Sequence, residues 1–402
     1  MRQERGFILP MVIFALAIMG VLVLIMVGTS DDDRLGSRYD FEGTRSFYAA
    51  EAGLGAIMTN WKANGYEATV PNVGNTNTLA WTNLPENGGR YRGSILKVES
   101  STYMITVDGQ SPGARKGLRT VQLMLTPGIN YNYAVLGGSD VKFSGGAGTD
   151  SYNSDIGGYA TSNCTTAGTT CNGDIGSNGT MSQLSTGAGG TKTIHGDASA
   201  ITSMNGGCAG GSNPDVTGTC SVGGSPIPLP TVSCPPGGYS TLPTPLPSGV
   251  SYSGGVLTIN SPGYALPAGG PWYFKTVKAQ GGADWTINPA GSKVTIYIDT
   301  QLTASGGSDI VNTSSDPRLL EFIGCGATSS SWTVSGTSTT EAFVIYAPND
   351  DITVSGGSGI YGAVVGRNIT VSGGSTSIHY DEALAAVPSI VLIPGSWTEI
   401  TR

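Results

Sequence analysis

The chain has 402 residues, enough for two or three domains of ordinary size, yet only 12% of them are charged and 62 are glycine. The net charge is −8 and Lys and Arg form no cluster, which argues against a nucleic-acid partner held by charge. Aromatic and β-branched residues accompany the glycine, so the composition points to a β-rich fold with many tight turns rather than to disorder.

The first informative segment is the N-terminus. Residues 1–6 include Arg2 and Arg5, and Phe7 to Val27 is apolar apart from Pro10 and Gly20. About 20 such residues suffice for a helix to cross a bilayer. The acidic run Asp31–Asp33 follows, so the positive-inside rule predicts a single-pass inner-membrane protein with its bulk outside the cytoplasm. A secretory signal peptide would carry a shorter apolar core and a small-residue cleavage site, which Gly28-Thr29-Ser30 matches poorly.

Arg5-Gly6-Phe7-Ile8-Leu9 resembles a type IV prepilin leader. The resemblance implies cleavage between Gly6 and Phe7 by prepilin peptidase and N-methylation of Phe7. Most pilins carry Glu at the fifth mature position, where this chain has Met11. A carboxylate buried in a membrane helix is costly and is kept for a partner. Its absence is similar to PilX-type proteins and to tip-capping pseudopilins of type II secretion, and favours a scarce or terminal place in a filament.

Arg34 to Trp61 lacks proline, and Leu35, Phe41, Tyr48, Ala52, Ile57 and Trp61 recur at roughly helical spacing. Within it, Phe47, Ala50, Glu51, Ala52, Gly53 and Leu54 form a segment that resembles the PilX N-terminal family. Without the resemblance, the small residues read as helix packing and Glu51 as a solvated carboxylate. A pilin-type helix is thus expected over 7–62, with its membrane span at 7–27.

A small antiparallel sheet is expected over 63–127. Arg92–Ser100, Thr102–Val107 and Gly117–Leu125 are rich in β-formers, with Asp108-Gly109 and Pro112-Gly113 as turn chemistry between the last two.

Beyond it a four-residue pattern returns: apolar, Thr, apolar, then Ser or Asn. It occupies Leu257–Asn260, Trp285–Asn288, Leu302–Ser305, Trp332–Ser335, Ile352–Ser355 and Ile369–Ser372, followed by Gly in the later copies. Short strands returning at roughly 17–20 residues, with glycine where the chain turns, predict a parallel β-solenoid over 128–402. A Pro-rich excursion at 225–247 interrupts it. An antiparallel β-sandwich is the alternative for this region. The fold class expected is therefore α+β: a long N-terminal helix, a small sheet and a large solenoid.

Six cysteines, Cys164, Cys171, Cys208, Cys220, Cys234 and Cys325, contain no CxxC pair, and the histidines are His195 and His379 alone. That argues against zinc and for disulfides in an oxidising compartment, with Cys164–Cys171 and Cys208–Cys220 as candidate short loops. Hydrolase, zincin and phosphate-loop motifs are absent. His379, Asp381 and Glu382 read as capping residues at the end of the solenoid, with a metal or acid–base cluster as the sharper alternative. Asp350-Asp351 and Asp31–Asp33 read as solvated, with Ca²⁺ at a solenoid corner as an unsupported option.

These readings lead to a structural minor pilin, without cofactor or catalytic residue, acting in pilus assembly, display or adhesion. The partners implied are other pilin subunits, prepilin peptidase, the inner membrane before assembly and a surface ligand. It would reside in a cell-surface pilus or periplasmic pseudopilus. A type II secretion tip pseudopilin and a membrane-anchored β-helix enzyme acting on polysaccharide are the alternatives; the enzyme would need carboxylates projecting from adjacent coils.

Overall fold

Strands dominate the computed structural model, which describes residues 8–61, 64–99, 102–113, 117–127, 129, 131–167, 170–184, 193–230, 232–335, 341–357, 359–373, 376–386, 390–393 and 395–400. The expectation of an α+β protein led by a membrane-crossing helix is thereby corrected on both counts. The fold is mainly β, because the Gly-rich two-thirds of the chain is built from short strands. Among the described residues no helix is long and apolar enough to cross a membrane, so the span at 7–27 and the single-pass inner-membrane location are not supported.

The chain divides into two units, 1–128 with 389–402, and 129–388. In the first, α1 (Ile8–Thr59) and α2 (Tyr66–Thr69) precede β1 (Thr76–Asn83), β2 (Arg90–Glu99), β3 (Thr102–Gln110) and β4 (Leu118–Pro127). The four strands pair antiparallel in sequence order. Ala50, Leu54 and Ile57 lie one turn apart on α1 and, with Trp61 just past its end, bury against Ile95, Ile105, Val107, Val121 and Leu123. The stripe expected from sequence is rotated: Phe41 and Tyr48 are exposed, as is Ala52.

The second unit opens with β5 (Val135–Ser144) and β6 (Gly148–Tyr152), then α3 (Tyr159–Ser162), α4 (Cys164–Ala167), β7 (Ile175–Ser177), β8 (Thr180–Gln183), β9 (Ala198–Ala200), β10 (Ser203–Met204) and β11 (Cys220–Val222). After the Pro-rich segment come β12 (Val250–Ser253), β13 (Val256–Ile259), β14 (Gly263–Leu266), β15 (Trp272–Ala279), β16 (Asp284–Ile287), β17 (Val294–Ala304) and β18 (Ile310–Asn312). They are followed by β19 (Leu320–Gly324), β20 (Ser331–Val334), β21 (Glu341–Val354), β22 (Gly359–Ser372) and β23 (Ser377–Asp381). The main sheet runs β11-β9-β7-β5-β22-β21-β19-β17-β15-β13-β12, parallel at every step but the last hairpin. Stacked parallel coils, not facing antiparallel sheets, form this unit.

The four-residue copies fall on strands, with both apolar positions inside. Leu257 and Ile259, Trp285 and Ile287, Trp332 and Val334, Ile352 and Val354, and Ile369 and Val371 are all at most 1% exposed. The intervening threonines line up coil over coil, Thr303, Thr333, Thr353 and Thr370. Gly281, Gly282, Gly306 and Gly307 hold the corners at φ between 67° and 77°, a region that L side chains disfavour, and Gly282 N–H donates to Gly306 O at 3.1 Å.

The strand order holds the main surprise. β5, the first strand of this unit, lies mid-stack, with the early coils β7, β9 and β11 on one side and the last coil, β22, on the other. The chain therefore builds one arm outward from β5, crosses to the far end, and returns coil by coil to close a seam at β22–β5 and β23–β6. Beyond that, β24 (Ile390–Leu392) and β25 (Thr398–Ile400) pair antiparallel with β4, so the last residues extend the first unit's sheet although the solenoid was expected to reach 402.

Candidate functional site

Helix packing in the first unit is unusually close at one point. A Cβ on Gly109 would stand 2.2 Å from Ala50 N and from Ser46 O, so only glycine lets the helix backbone rest on β3. Asp108-Gly109, expected as a turn, lies inside β3 for this purpose, and the turn forms at Gly113, with φ 109°. Gly53 is likewise covered, by the Tyr91 ring. Of the family-like segment, Ala50, Gly53 and Leu54 therefore face the sheet, while Glu51 and Ala52 face out. Phe47 is half-buried, edge-on to Trp397 with ring centres 6.0 Å apart.

The outward side of α1 carries Phe41 and Tyr48, both at least 60% exposed, and further along Leu16, Met19 and Met26. Arg45 stands over the Phe41 ring at 5.4 Å. Glu51 has no hydrogen bond or ion pair among the described residues. Met11 falls within α1, its side chain outside the described residues. Gly6 and Phe7, the expected cleavage and methylation positions, also lie outside them.

In the second unit the cysteines pair as Cys164–Cys171, Cys208–Cys220 and Cys234–Cys325. His379, Asp381 and Glu382 are not at an end of the stack but at its seam, because β23 pairs with β6. His379 Nδ1 meets Asp150 Oδ1 at 2.6 Å, and Tyr159 OH donates to the other oxygen at 2.6 Å. Burial, then the Asp150 hydrogen bond, holds the Tyr159 phenol well above its usual range. Asp381 Oδ1 accepts from Ser154 N at 3.0 Å, and Glu382 accepts from Ser151 Oγ at 2.8 Å and Asn172 Nδ2 at 3.0 Å. Among the described residues no group of three His, Cys, Asp or Glu could hold a metal ion.

Asp350 and Asp351, read from sequence as solvated, are built into a corner. Asp350 is 1% exposed and accepts from Ser330 N and Oγ at 2.8 and 2.7 Å, with burial raising its carboxyl. Asp351 is held below the usual range, first by the Arg367 guanidinium at 2.8 Å. The side chains of Asp31–Asp33 lie outside the described residues.

A cleft of about 550 Å³ opens in the early coils, lined by the Cys164–Cys171 bridge, Asn172, Asp174, His195 and Asp197. Each aspartate serves the coil beyond it: Asp174 Oδ1 accepts from Asp197 N and Asp197 Oδ1 from Thr219 N, both at 2.7 Å. The repeated Gly-Asp step at 173–174 and 196–197 was a legible signal for this arm.

The molecule is thus defined as a helix-on-sheet unit and a stack of parallel coils. Residues 275–387, within that stack, match a domain of unknown function (DUF7305). No curated protein matches the chain. The crystal structure of the competence-associated pilin ComZ from Thermus thermophilus is similar to it at 14% identity and a TM-score of 0.25, over 89% of this chain and 97% of that one. A likeness of that size establishes no common fold.

Proposed function

We propose that the chain is a structural, pilin-like subunit that contributes α1 to a filament and displays the stacked coils, with no catalytic role. The observation that carries this reading is the two-sided helix: one side seats on the sheet through Ala50, Leu54 and Ile57, while the other leaves Phe41 and Tyr48 in solvent. Exposed aromatics of this size on one helix mark a contact surface. Other pilin-like subunits are the partners it would meet. A minor pilin of PilX type is the finer reading, supported by the Phe47–Leu54 segment and by Met11 in place of glutamate.

The coils support display rather than catalysis: their aligned outward positions are threonines, and the carboxylates near the seam are engaged in structural hydrogen bonds.

Intact mass and N-terminal sequence of the protein in sheared surface filaments test the reading. A chain beginning at N-methylated Phe7 is expected there. A chain beginning at Met1 and missing from the filament fraction would overturn it.

A further inference from the structure

The described residues of the Pro-rich segment, 225–230 and 232–247, run along the stack, across the strands, and their contacts follow the order of the coils. Ile227 is held by Asn178 through a reciprocal pair, Nδ2 to Ile227 O and Ile227 N to Oδ1, both 2.7 Å. Leu229 covers Gly138, whose other neighbours are Gly366 and Arg367 on the opposite side of the β22–β5 seam. Pro230 O accepts from Tyr346 OH at 2.6 Å, and Cys234 is bonded to Cys325. Further on, Tyr239 OH donates to Asp299 at 2.9 Å and Ser240 N to Tyr273 O at 2.8 Å. Successive anchors thus sit on the β7–β8 turn, β5, β21, the end of β19, β17 and β15.

The seam is where such a tie matters. β5 and β22 come from opposite ends of the unit's sequence, so no short loop holds their edges together. Closing so long a loop costs conformational entropy that adjacent coils do not incur. Between Ile227 and Cys234 the segment is fastened on the early arm by two hydrogen bonds and on the late arm by a covalent bond, with Leu229 lying over the join. Ile227, Leu229 and Val232 also pack against the core.

We propose that residues 227–230 and 232–234 are a strap that stitches the seam shut, so that releasing either anchor lets the two arms part at β22–β5 before the coils themselves unfold. This inference is independent of any role in a filament.

Amide hydrogen exchange of the full chain under native conditions tests it. In Cys234→Ser/Cys325→Ser, the amides of 135–137 and 364–366 should exchange about tenfold faster while those of β13 and β15 hold their rate, since regional openings differ in free energy. Asn178→Ala, with every disulfide intact, should accelerate the same seam amides by roughly threefold. Faster exchange confined to 227–236, with seam amides at the wild-type rate in either variant, would overturn the proposal. If the double variant does not fold, Asn178→Ala decides alone.

Discussion

Gly109 lies directly beneath the backbone of Ala50, so close that a Cβ would sit 2.2 Å from the Ala50 nitrogen. Neither partner is a flexible side-chain tip, and relief requires the helix to lift from β3. Gly109→Ala should therefore destabilise the first unit by about 1–3 kcal/mol or more, the cost of overpacking. Urea unfolding followed by Trp61 fluorescence would show it; an unchanged midpoint would mean the helix is not seated there.

Two other glycines should behave in opposite ways. Gly282 has φ 73°, and an alanine there should cost about 1–2 kcal/mol by forcing the left-handed conformation. Gly55 is an exposed helical glycine with no atom within 4 Å of its absent Cβ. Gly55→Ala should stabilise by about 0.4–1 kcal/mol through the unfolded chain. Thermal melts of the two variants should move in opposite directions, and a shared direction would contradict the geometry.

Glu341 gives the second unit a pH dependence. It is fully buried, and burial followed by the charge of Asp309 raises it to about 8 from 4.5, against the opposing pull of the Ile310 backbone N–H. A carboxyl raised in the folded state keeps its proton there while the unfolded chain has lost it. Folding stability from this group thus falls as pH rises from 4.5 to 8, by at most about 1.4 kcal/mol per pH unit, and is level below and above. Glu341→Gln should remove that fall, gaining on wild type at pH 8 and matching its slope at pH 4. Parallel stability curves for the two proteins across this range would refute the assignment.

Phe41→Ala and Tyr48→Ala alter exposed rings of α1. Each should leave monomer stability within about 0.5 kcal/mol, as for ordinary surface changes. Recovery in the filament fraction should drop several-fold. Undiminished incorporation of the double variant would remove this side of the helix from the proposed contact.

Local pattern was readable in the sequence and long-range pairing was not. Alternation placed Leu257, Trp332 and Ile369 inside their strands, and short spacing singled out Cys164–Cys171 and Cys208–Cys220. The buried stripe of α1 was misjudged because Phe41 and Tyr48 are large and apolar, whereas the helix seats through Ala50 and glycine. Asp350 looked solvated because its Ser330 partner lies on the neighbouring coil. The seam had no local signature: nothing near Val135 or Val364 announces that they pair. The bilayer span was inferred from apolarity alone, and the described helices do not meet that requirement.

The position of β5 in mid-stack bears on the order of synthesis. A solenoid whose coils stack in chain order can complete each edge as the next repeat emerges from the ribosome. Here β5 and β6 emerge well before residues 359–381, on which one flank of each must wait. Until then an unpaired parallel edge stays available to any other strand, a known route to aggregation. A nascent chain of this design gains from a holdase that covers this edge until residues 359–381 have emerged.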